Sequence, residues 1–273
     1  MKIPVLGYAG TALMALALAA ASAAPVGADP GPRDAQYVSL GDSFVAAGSY
    51  TSTTIAEGCV QAGDDVGHLV SQRLPGVSFA DWACGGTPTD VITKTSQALS
   101  DRTAYVSLSI GANNEDFFMD FLVNCLTGSN CTADVRRAAE AKLDRLSTSL
   151  DATYALIRAK APNATVVVLG YHRILPDTIA GCFIDAILTQ DIVDFGNRLQ
   201  RRLNDEVAAA AARAGFIMLN RWQDGANSVC APDGKRYVTA TGLGQGDEGV
   251  AYHPTRTGRE YSATLIAEAF LAR

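Results

Sequence analysis

The feature that most constrains the fold of this 273-residue chain is a set of five short apolar runs separated by much longer segments. Runs such as TVVVLG and YVSLSIG are largely apolar and contain β-branched residues. Such runs suit strands that are covered on both faces, as in a parallel sheet. The predicted strands are Tyr37–Leu40, Val77–Ala80, Ala104–Ile110, Thr165–Leu169 and Phe216–Leu219.

Helical segments alternate with these runs. Asp134–Ile157 and Thr189–Ala214 carry apolar residues at three- and four-residue spacing with charges between them, and a final helix is predicted over Arg259–Leu271. This alternation predicts an α/β fold, a single doubly wound, flavodoxin-like domain with a five-stranded parallel sheet flanked by helices. In such sheets ligands bind beyond the carboxyl ends of the strands, so the residues that follow each strand are the candidates for function.

The N-terminus has the pattern of a secretory signal. Met1 and Lys2 give a short positive start, residues 5–24 are apolar, and small residues allow cleavage after Ala23 or Ala28. We therefore predict a signal peptide and cleavage region at 1–28, a single folded domain at 29–273 and an extracellular mature protein. The alternative is an uncleaved anchor. Because no further 18-residue apolar run follows, no transmembrane segment is predicted in the mature chain.

The chain has six cysteines, all beyond the predicted signal. An even number in an exported chain predicts three disulfides, and spacing alone leaves 15 connectivities open. Zinc is disfavoured because there is no CxxC motif and the spacing is irregular. The cysteines are Cys59, Cys84, Cys125, Cys131, Cys182 and Cys230.

Charge and glycine patterns exclude two classes of ligand. The formal net charge is −6 and no basic stripe is present, which argues against nucleic-acid binding. The glycine-rich segment at 242–247 follows no predicted strand and opens no βαβ unit, so no nucleotide cofactor is predicted.

Ser43 is the candidate nucleophile. It follows the first predicted strand on a sharp turn that begins at Gly41, so its hydroxyl would project at the start of a helix. A serine hydrolase requires such an exposed hydroxyl, a base, and donors for an oxyanion. The alternative is an N-cap serine, whose side chain satisfies a free helix N–H. Asp42 is expected to brace the turn rather than to react.

Two other strand ends offer oxyanion donors. Gly86 lies in a glycine pair whose backbone N–H can approach a ligand closely, and Asn113 carries a side-chain NH₂ group. Each also suits an ordinary turn. Because the carboxyl ends of parallel strands share one edge, Ser43, Gly86 and Asn113 are predicted to converge there.

The base is expected to be one of three histidines. His68 falls in a predicted helix and suits a surface or packing role, whereas His172 follows the fourth strand and could line the cleft. His253 lies on a loop just before Pro254 and the final helix. A base on such a loop can reach Ser43, so His253 is the candidate.

Four short blocks of sequence occur in the order found in the SGNH hydrolases, also called GDSL lipases and esterases. They are GDSF at 41–44, ACGG at 83–86, SIGANN at 109–114 and HP at 253–254. Each block is weakly specific alone, but together they make the chain resemble this family over residues 35–272. Within the family, the disulfide-rich secreted lipases and esterases of actinobacteria are the most similar.

The resemblance implies a role for each matching residue. Ser43 would be the nucleophile and His253 the base, while Gly86 and Asn113 would join the Ser43 N–H in an oxyanion hole. The family needs no metal or cofactor. The resemblance also implies disulfides in sequence order, Cys59–Cys84, Cys125–Cys131 and Cys182–Cys230.

The chain departs from the family pattern before the histidine. Val250 stands where many members have an aspartate, three residues before His253. Some secreted actinobacterial members similarly lack the acid and orient the histidine through a main-chain carbonyl. By this resemblance the Val250 carbonyl is expected to accept from the His253 ring, with Asp247 and Glu248 as alternatives.

Two further departures concern the oxyanion donors. Gly85 precedes Gly86 where the family usually has serine, which leaves open which glycine donates, and we choose Gly86. Asn114 replaces the aspartate that usually follows the donor asparagine, so Glu115 or Asp116 would have to substitute.

These features predict a secreted serine ester hydrolase, a lipase or esterase acting on a lipid or small acyl ester. The first alternative is a carbohydrate (acetyl) esterase on the same fold. The second is a non-catalytic binding protein that retains the fold but whose serine is inert.

Overall fold

The computed structural model describes residues 34–56, 59–89, 96–127, 130–242 and 249–272. The predicted signal peptide and cleavage region, 1–28, lies outside the described residues, so it stays a prediction together with the domain boundary.

All five apolar runs form strands of one parallel sheet, which confirms the predicted α/β fold with its five-stranded sheet. An additional antiparallel hairpin, β2–β3, lies between the first two strands of the sheet in sequence. In chain order the strands are β1 (Tyr37–Gly41), β2 (Thr53–Ala56), β3 (Cys59–Ala62), β4 (Phe79–Asp81), β5 (Tyr105–Ser109), β6 (Thr165–Leu169) and β7 (Ile217–Leu219).

The order of the strands in the sheet, β4-β1-β5-β6-β7, creates one topological switch point. The chain leaves β1 toward β4 on one side and then returns to β5 on the other side. A crevice opens beyond the carboxyl ends of two strands where the connections diverge in this way. Ser43 follows β1 and Asn113 follows β5, so both candidates lie at this crevice.

Helices cover both faces of the sheet. The three long helices each begin after a threonine whose hydroxyl accepts a free N–H, namely Thr132, Thr189 and Thr255. Thr255 starts the last helix three residues before the predicted position. In chain order the helices are α1 (Ser43–Ala46), α2 (Val66–Ser71), α3 (Phe117–Phe121), α4 (Ala133–Lys160), α5 (Gln190–Arg213) and α6 (Arg256–Leu271).

The core lies on the two faces of the sheet. Val38 and Leu40 of β1 belong to one buried cluster with Leu146 of α4, whereas Tyr37 belongs to the opposite cluster with Phe270 of α6. Adjacent side chains of a strand point to opposite faces, so one strand supplies both clusters. The alternation of faces explains why its residues are all buried.

The β2–β3 hairpin was not predicted from the sequence. A two-stranded hairpin is only marginally stable by itself, so this one depends on contacts with the rest of the chain. The Gln61 amide of β3 donates to the carbonyls of Asp81 and Ala83, and the Cys59–Cys84 disulfide fastens the same strand. Both connections require the folded sheet.

The described residues contain three disulfides, Cys59–Cys84, Cys125–Cys131 and Cys182–Cys230. This pairing confirms the sequence-order pairing that the resemblance implied. Among the helices that the structure describes, none has the length and apolar character needed to cross a membrane.

Candidate active site

Ser43 is the first residue of α1 and lies on a tight turn after β1. Gly41 makes this turn with a φ of 135°, and a Cβ at this position would approach the Ser109 carbonyl oxygen to 2.6 Å. Only glycine tolerates both the conformation and the contact. Asp42, not Ser43, is the N-cap, because its carboxylate accepts the Phe44 N–H at 2.9 Å. The Ser43 hydroxyl is therefore not consumed as a helix cap.

Asp42 connects the Ser43 turn to the neighbouring strand ends. Its second carboxylate oxygen accepts the Tyr171 hydroxyl at 2.5 Å, and the Tyr171 oxygen in turn accepts the Ala112 N–H at 3.0 Å. Burial raises the pKa of Asp42 to about 7, although the hydrogen bonds from Tyr171 and Phe44 oppose this rise. Asp42 thus braces the turn, as predicted, and Tyr171 ties it to the block that contains Asn113.

The structure indicates which glycine of the Gly85–Gly86 pair has its N–H available. The Gly85 N–H already donates to the Val60 carbonyl at 3.2 Å. No acceptor among the described residues reaches the Gly86 N–H or the Ser43 N–H. Gly86 is exposed and adopts a left-handed conformation with a φ of 78°. A Cβ on Gly85 would lie 3.9 Å from the Ser43 Cβ, so the pair is beside Ser43.

Asn113 follows β5 and is held by the loop that contains Gly86. Its side-chain nitrogen donates to the Thr87 carbonyl at 3.3 Å, which uses one of two N–H bonds and leaves the second for another acceptor. The Asn114 amide bonds to the Thr89 hydroxyl at 2.7 Å. Glu115 is exposed and pairs with an arginine of α4 instead of supporting Asn113.

His253 reaches Ser43 across the crevice. Its Nε2 lies 2.6 Å from the Ser43 Oγ, although the two residues are 210 positions apart in the chain. The ring is half-buried, with the Phe44 ring centroid 5.4 Å away and that of Phe118 6.2 Å away. This desolvation lowers the pKa of His253, while the Ala251 carbonyl bonded to the ring opposes the shift. The neutral form able to accept a proton is thereby favoured near pH 7.

The prediction that the Val250 carbonyl orients His253 was wrong by one position, because the Ala251 carbonyl faces the ring. The Nδ1 of His253 lies 2.8 Å from the Ala251 carbonyl oxygen, whereas the Val250 carbonyl accepts the backbone N–H of His253 at 3.0 Å. The reason is a tight turn in which Tyr252 adopts a left-handed conformation with a φ of 62°. The alternatives Asp247 and Glu248 lie outside the described residues.

The His253 turn is anchored on both sides. The Thr239 carbonyl accepts the Tyr252 N–H at 2.6 Å, and the His253 carbonyl accepts the Thr239 N–H at 3.2 Å. The buried Arg259 guanidinium donates to the Pro254 carbonyl at 3.0 Å and to the Asp64 carboxylate at 2.9 Å. A left-handed non-glycine residue such as Tyr252 persists only where its surroundings hold it, as they do here.

The other two histidines make their contacts elsewhere in the protein. His172 is fully buried, with its Nε2 3.0 Å from the Ser262 hydroxyl and 2.7 Å from an Arg221 nitrogen. The expectation that His172 lines the cleft was therefore wrong, since the residue packs beneath α6. His68 contacts the Asp65 carboxylate, with its Nδ1 2.9 Å from Oδ1.

A narrow apolar cavity of about 40 Å³ adjoins the turn that follows β1, although neither Ser43 nor His253 lines it. Phe44, the residue after Ser43, lines it, as do Tyr171 and Phe118, the latter also facing the His253 ring. The remaining lining residues come mainly from α3 and α5 and are almost all apolar, so the cavity suits a hydrocarbon group. They are Ala112, Phe117, Phe121, Leu126, Ile174, Leu175, Gly196, Leu199, Gln200 and Leu203.

Sequence reasoning missed three supporting groups. Tyr171 lies two residues after the end of β6, and this position near a strand end was the signal that could have marked it. The Ala251 carbonyl and Arg259 gave no signal, because a backbone carbonyl has no sequence signature and Arg259 lies on a helix face whose burial depends on packing. With these groups in place, the site combines a hydroxyl, a base and three candidate N–H donors, and these are the groups that acyl transfer by a serine requires.

Comparison with known proteins gives one consistent result. The GDSL-like Lipase/Acylhydrolase family profile matches residues 39–261. Lipase 1 of Streptomyces coelicolor is 34% identical over 92% of this chain and 90% of its own length.

Two solved structures are similar in fold and sequence. The phospholipase A1 of Streptomyces albidoflavus NA297 has a TM-score of 0.70 and 30% identity, with coverage of 87% of this chain and 98% of its own. An extracellular lipase of Streptomyces rimosus also has a TM-score of 0.70, with 28% identity and coverage of 85% of this chain and 98% of its own.

Proposed function

Since the chain belongs to the GDSL-like lipase/acylhydrolase family and is a carboxylic ester hydrolase, we propose that Ser43 is its nucleophile and His253 its general base. The observation that carries this assignment is the 2.6 Å distance between His253 Nε2 and Ser43 Oγ. With Nδ1–H donating to the Ala251 carbonyl, Nε2 keeps its lone pair and accepts the Ser43 proton.

The proposed reaction has two acyl-transfer steps. As Ser43 Oγ attacks the ester carbonyl, its proton moves to His253, and the carbonyl oxygen becomes an oxyanion held by the N–H groups of Ser43, Gly86 and the Asn113 amide. The tetrahedral intermediate collapses, the C–O bond to the alcohol breaks, and His253 protonates the leaving alcohol. A water molecule then gives its proton to His253, attacks the acyl-enzyme, and releases the acid with Ser43 reprotonated.

The apolar cavity supports an ester with a hydrocarbon acyl group as substrate. Phe44 and Phe118 line the cavity and also pack against the His253 ring, with ring centroids 5.4 Å and 6.2 Å away. Removing an acyl chain from water contributes about 0.8 kcal/mol per buried CH₂ group. The lining is almost entirely apolar, so it favours the hydrocarbon chain of a lipid or acyl ester over the polar sugar of an acetylated carbohydrate.

We also propose that the protein is secreted after cleavage of its signal peptide within residues 1–28. Three disulfides fit an oxidising compartment. The similar lipase of Streptomyces rimosus is described as extracellular. Mass spectrometry of the protein recovered from culture medium tests the proposal, since cleavage would leave Ala24 or Asp29 as the first residue. Recovery of the uncleaved chain in the membrane fraction would contradict it.

The decisive test of the catalytic assignment compares two serine substitutions. Ser43→Ala should reduce the turnover of p-nitrophenyl esters by about 10⁴-fold or more, because the nucleophile is lost. Ser147→Ala, on the outer helix α4, removes a hydroxyl of the same size and should leave turnover unchanged. Retention of wild-type turnover by purified Ser43→Ala would refute the assignment.

The substrate class is tested with acyl chains of increasing length and with acetylated xylan. We expect kcat/KM to rise from acetyl to longer esters, because longer chains bury more apolar surface in the cavity. Acetylated xylan should be a poor substrate. A preference for acetylated xylan over all longer esters would instead favour the carbohydrate esterase, and failure of Ser43 to react with a fluorophosphonate would favour the non-catalytic protein.

A further inference from the structure

A second cluster of chemically reactive side chains lies away from Ser43. One ring nitrogen of His68 and one carboxylate oxygen each from Asp65 and Asp81 lie within 4.8 Å of one another. The His68 Nδ1 is 2.9 Å from Asp65 Oδ1 and 3.4 Å from Asp81 Oδ2. The proposed reaction uses none of these three residues.

The sequence places the three side chains on two facing elements. Asp65 precedes α2 and His68 lies three residues later, so both project from the same side of that helix. Asp81 ends β4, two residues after Phe79, and the two share one face of the strand. The rings of Phe79 and His68 meet edge to face at 5.2 Å, which holds the imidazole toward Asp81.

The carboxylates are deeply buried but incompletely satisfied. Asp65 is 0% exposed and Asp81 is 6% exposed. Among the described residues Asp65 Oδ2 and Asp81 Oδ2 form no hydrogen bond, and Asp81 Oδ2 has only the ion-pair contact with His68 Nδ1 at 3.4 Å. Two buried carboxylates side by side repel each other and have lost their hydration, so they require a positive charge or a shared proton between them.

The His68 side chain is 36% exposed, which opens the cluster to solvent on one side. A solvent ligand can therefore complete the coordination of an ion held by three protein atoms. Zinc-type ions bind imidazole nitrogen and carboxylate oxygen at about 2.0–2.2 Å, so tetrahedral donors are about 3.4 Å apart. The separations of 2.9 Å and 3.4 Å in this cluster are close to that value.

We propose that Asp65, His68 and Asp81 bind a divalent transition-metal ion of the zinc type, with a water molecule as the fourth ligand. The mixed nitrogen and oxygen donors suit Zn²⁺ better than Mg²⁺ or Ca²⁺, which prefer oxygen ligands in larger numbers. The orphaned Oδ2 of Asp81 acquires a partner in this arrangement, and the ion neutralises the buried charge of both carboxylates.

The ion joins α2 to the strand that leads into the Gly85–Gly86 loop. Asp81 Oδ1 accepts the Ala83 N–H at 3.1 Å, so the proposed ligand also shapes the first turn of that loop. The role of the ion is structural, because the cluster is separate from the Ser43–His253 pair. An ion that binds only the folded protein raises its stability by mass action.

The test is isothermal titration of the tag-free, chelator-treated full chain with Zn²⁺, accompanied by thermal unfolding. We expect one Zn²⁺ to bind per chain and the melting temperature to rise with Zn²⁺ concentration. Asp81→Asn keeps an oxygen for the Ala83 N–H but loses the ligand charge, and it should weaken Zn²⁺ binding by about 100-fold or more, since loss of even an outer partner costs 10–100-fold.

Two further variants keep the proposal falsifiable. His68→Gln alters a partly exposed side chain, so it should fold even if Asp81→Asn does not, and it should also lose Zn²⁺ binding. Asp205→Asn, an exposed carboxylate on α5, is the matched control and should bind Zn²⁺ like the wild type. Equal binding by wild type, His68→Gln and Asp205→Asn would overturn the proposal. Absence of saturable binding to the wild type would also overturn it and would leave the carboxyls sharing a proton.

Discussion

The imidazole of His253 is oriented by the carbonyl of Ala251, two residues earlier in the chain, at a distance of 2.8 Å. A carbonyl fixes the same tautomer that a carboxylate would fix, because both accept from Nδ1–H. It carries no negative charge, however, and charge-assisted hydrogen bonds are roughly twice as strong as neutral ones. The proposed dyad therefore depends on geometry rather than on a third charged group.

The first prediction concerns the acid that the family pattern leads one to expect. Because the Ala251 carbonyl already accepts from Nδ1, Asp247→Asn should change kcat for p-nitrophenyl esters by far less than the about 10⁴-fold that loss of a triad acid costs. His253→Ala, measured beside it, should show the large loss. A fall in kcat for Asp247→Asn comparable to that of His253→Ala would contradict orientation by the carbonyl.

The second prediction is the pH dependence of activity. His253 must be neutral to accept a proton, and desolvation holds its pKa below the ordinary value of about 6.5. The acid limb of the kcat/KM profile should therefore have its midpoint below about pH 6.5. A midpoint above that value would contradict the environment described for the ring.

The same shift has a consequence for stability. Because the folded-state pKa of His253 is depressed, its contribution to stability is present above the unfolded value of about 6.5. The contribution is lost as the pH falls through the lower folded value. Urea unfolding of wild type and His253→Gln between pH 7.5 and about 5 measures it, and the difference between the two proteins should shrink toward the acid end.

The third prediction tests the tie between the Ser43 turn and the next strand end. Tyr171→Phe removes the donor to Asp42 and the acceptor of the Ala112 N–H, which should cost about 1–3 kcal/mol in urea unfolding and reduce kcat. Tyr154→Phe is the matched control, because the buried Tyr154 hydroxyl has no hydrogen-bond partner among the described residues. Its removal should be neutral or stabilising, and equal effects of the two variants would argue against the tie.

The fourth prediction concerns the anchor of the His253 turn. Arg259→Lys keeps the charge but cannot contact both the Pro254 carbonyl and Asp64, so it should destabilise the protein by about 1–3 kcal/mol and lower kcat more than it changes KM. Arg213→Lys disturbs a half-exposed pair with Asp151 and should cost about 0–1 kcal/mol. An Arg259→Lys enzyme with reduced stability but normal kcat would show that Arg259 does not position His253.

The fifth prediction addresses the proposed acyl cavity. Phe121→Ala widens the cavity, so the acyl chain length with the highest kcat/KM should increase. Phe183→Ala removes the same side chain from an exposed position outside the cavity lining and should leave the chain-length profile unchanged. An unaltered profile for Phe121→Ala would indicate that the acyl group binds elsewhere.

Local patterns in the sequence were enough to predict the sheet, and together with the family resemblance they led to the proposed reacting residues. The five strands appear because buried parallel strands need continuous apolar residues, and each such run is visible without knowledge of the others. Ser43, Gly86 and Asn113 follow strand ends, and parallel strands bring their ends to one edge. The β2–β3 hairpin escaped prediction because its support, including the Cys59–Cys84 disulfide, comes from distant residues.

The sequence by itself determined the doubly wound sheet, the candidate dyad of Ser43 and His253, and through family resemblance the three disulfide pairs. Tertiary structure alone decided that Ala251 rather than Val250 faces the His253 ring, and that Tyr171 and Arg259 hold the two sides of the site. It also brought Asp65, His68 and Asp81 together. The physical reason is that side-chain type and periodicity are local properties, whereas carbonyl direction and burial depend on how separate segments pack.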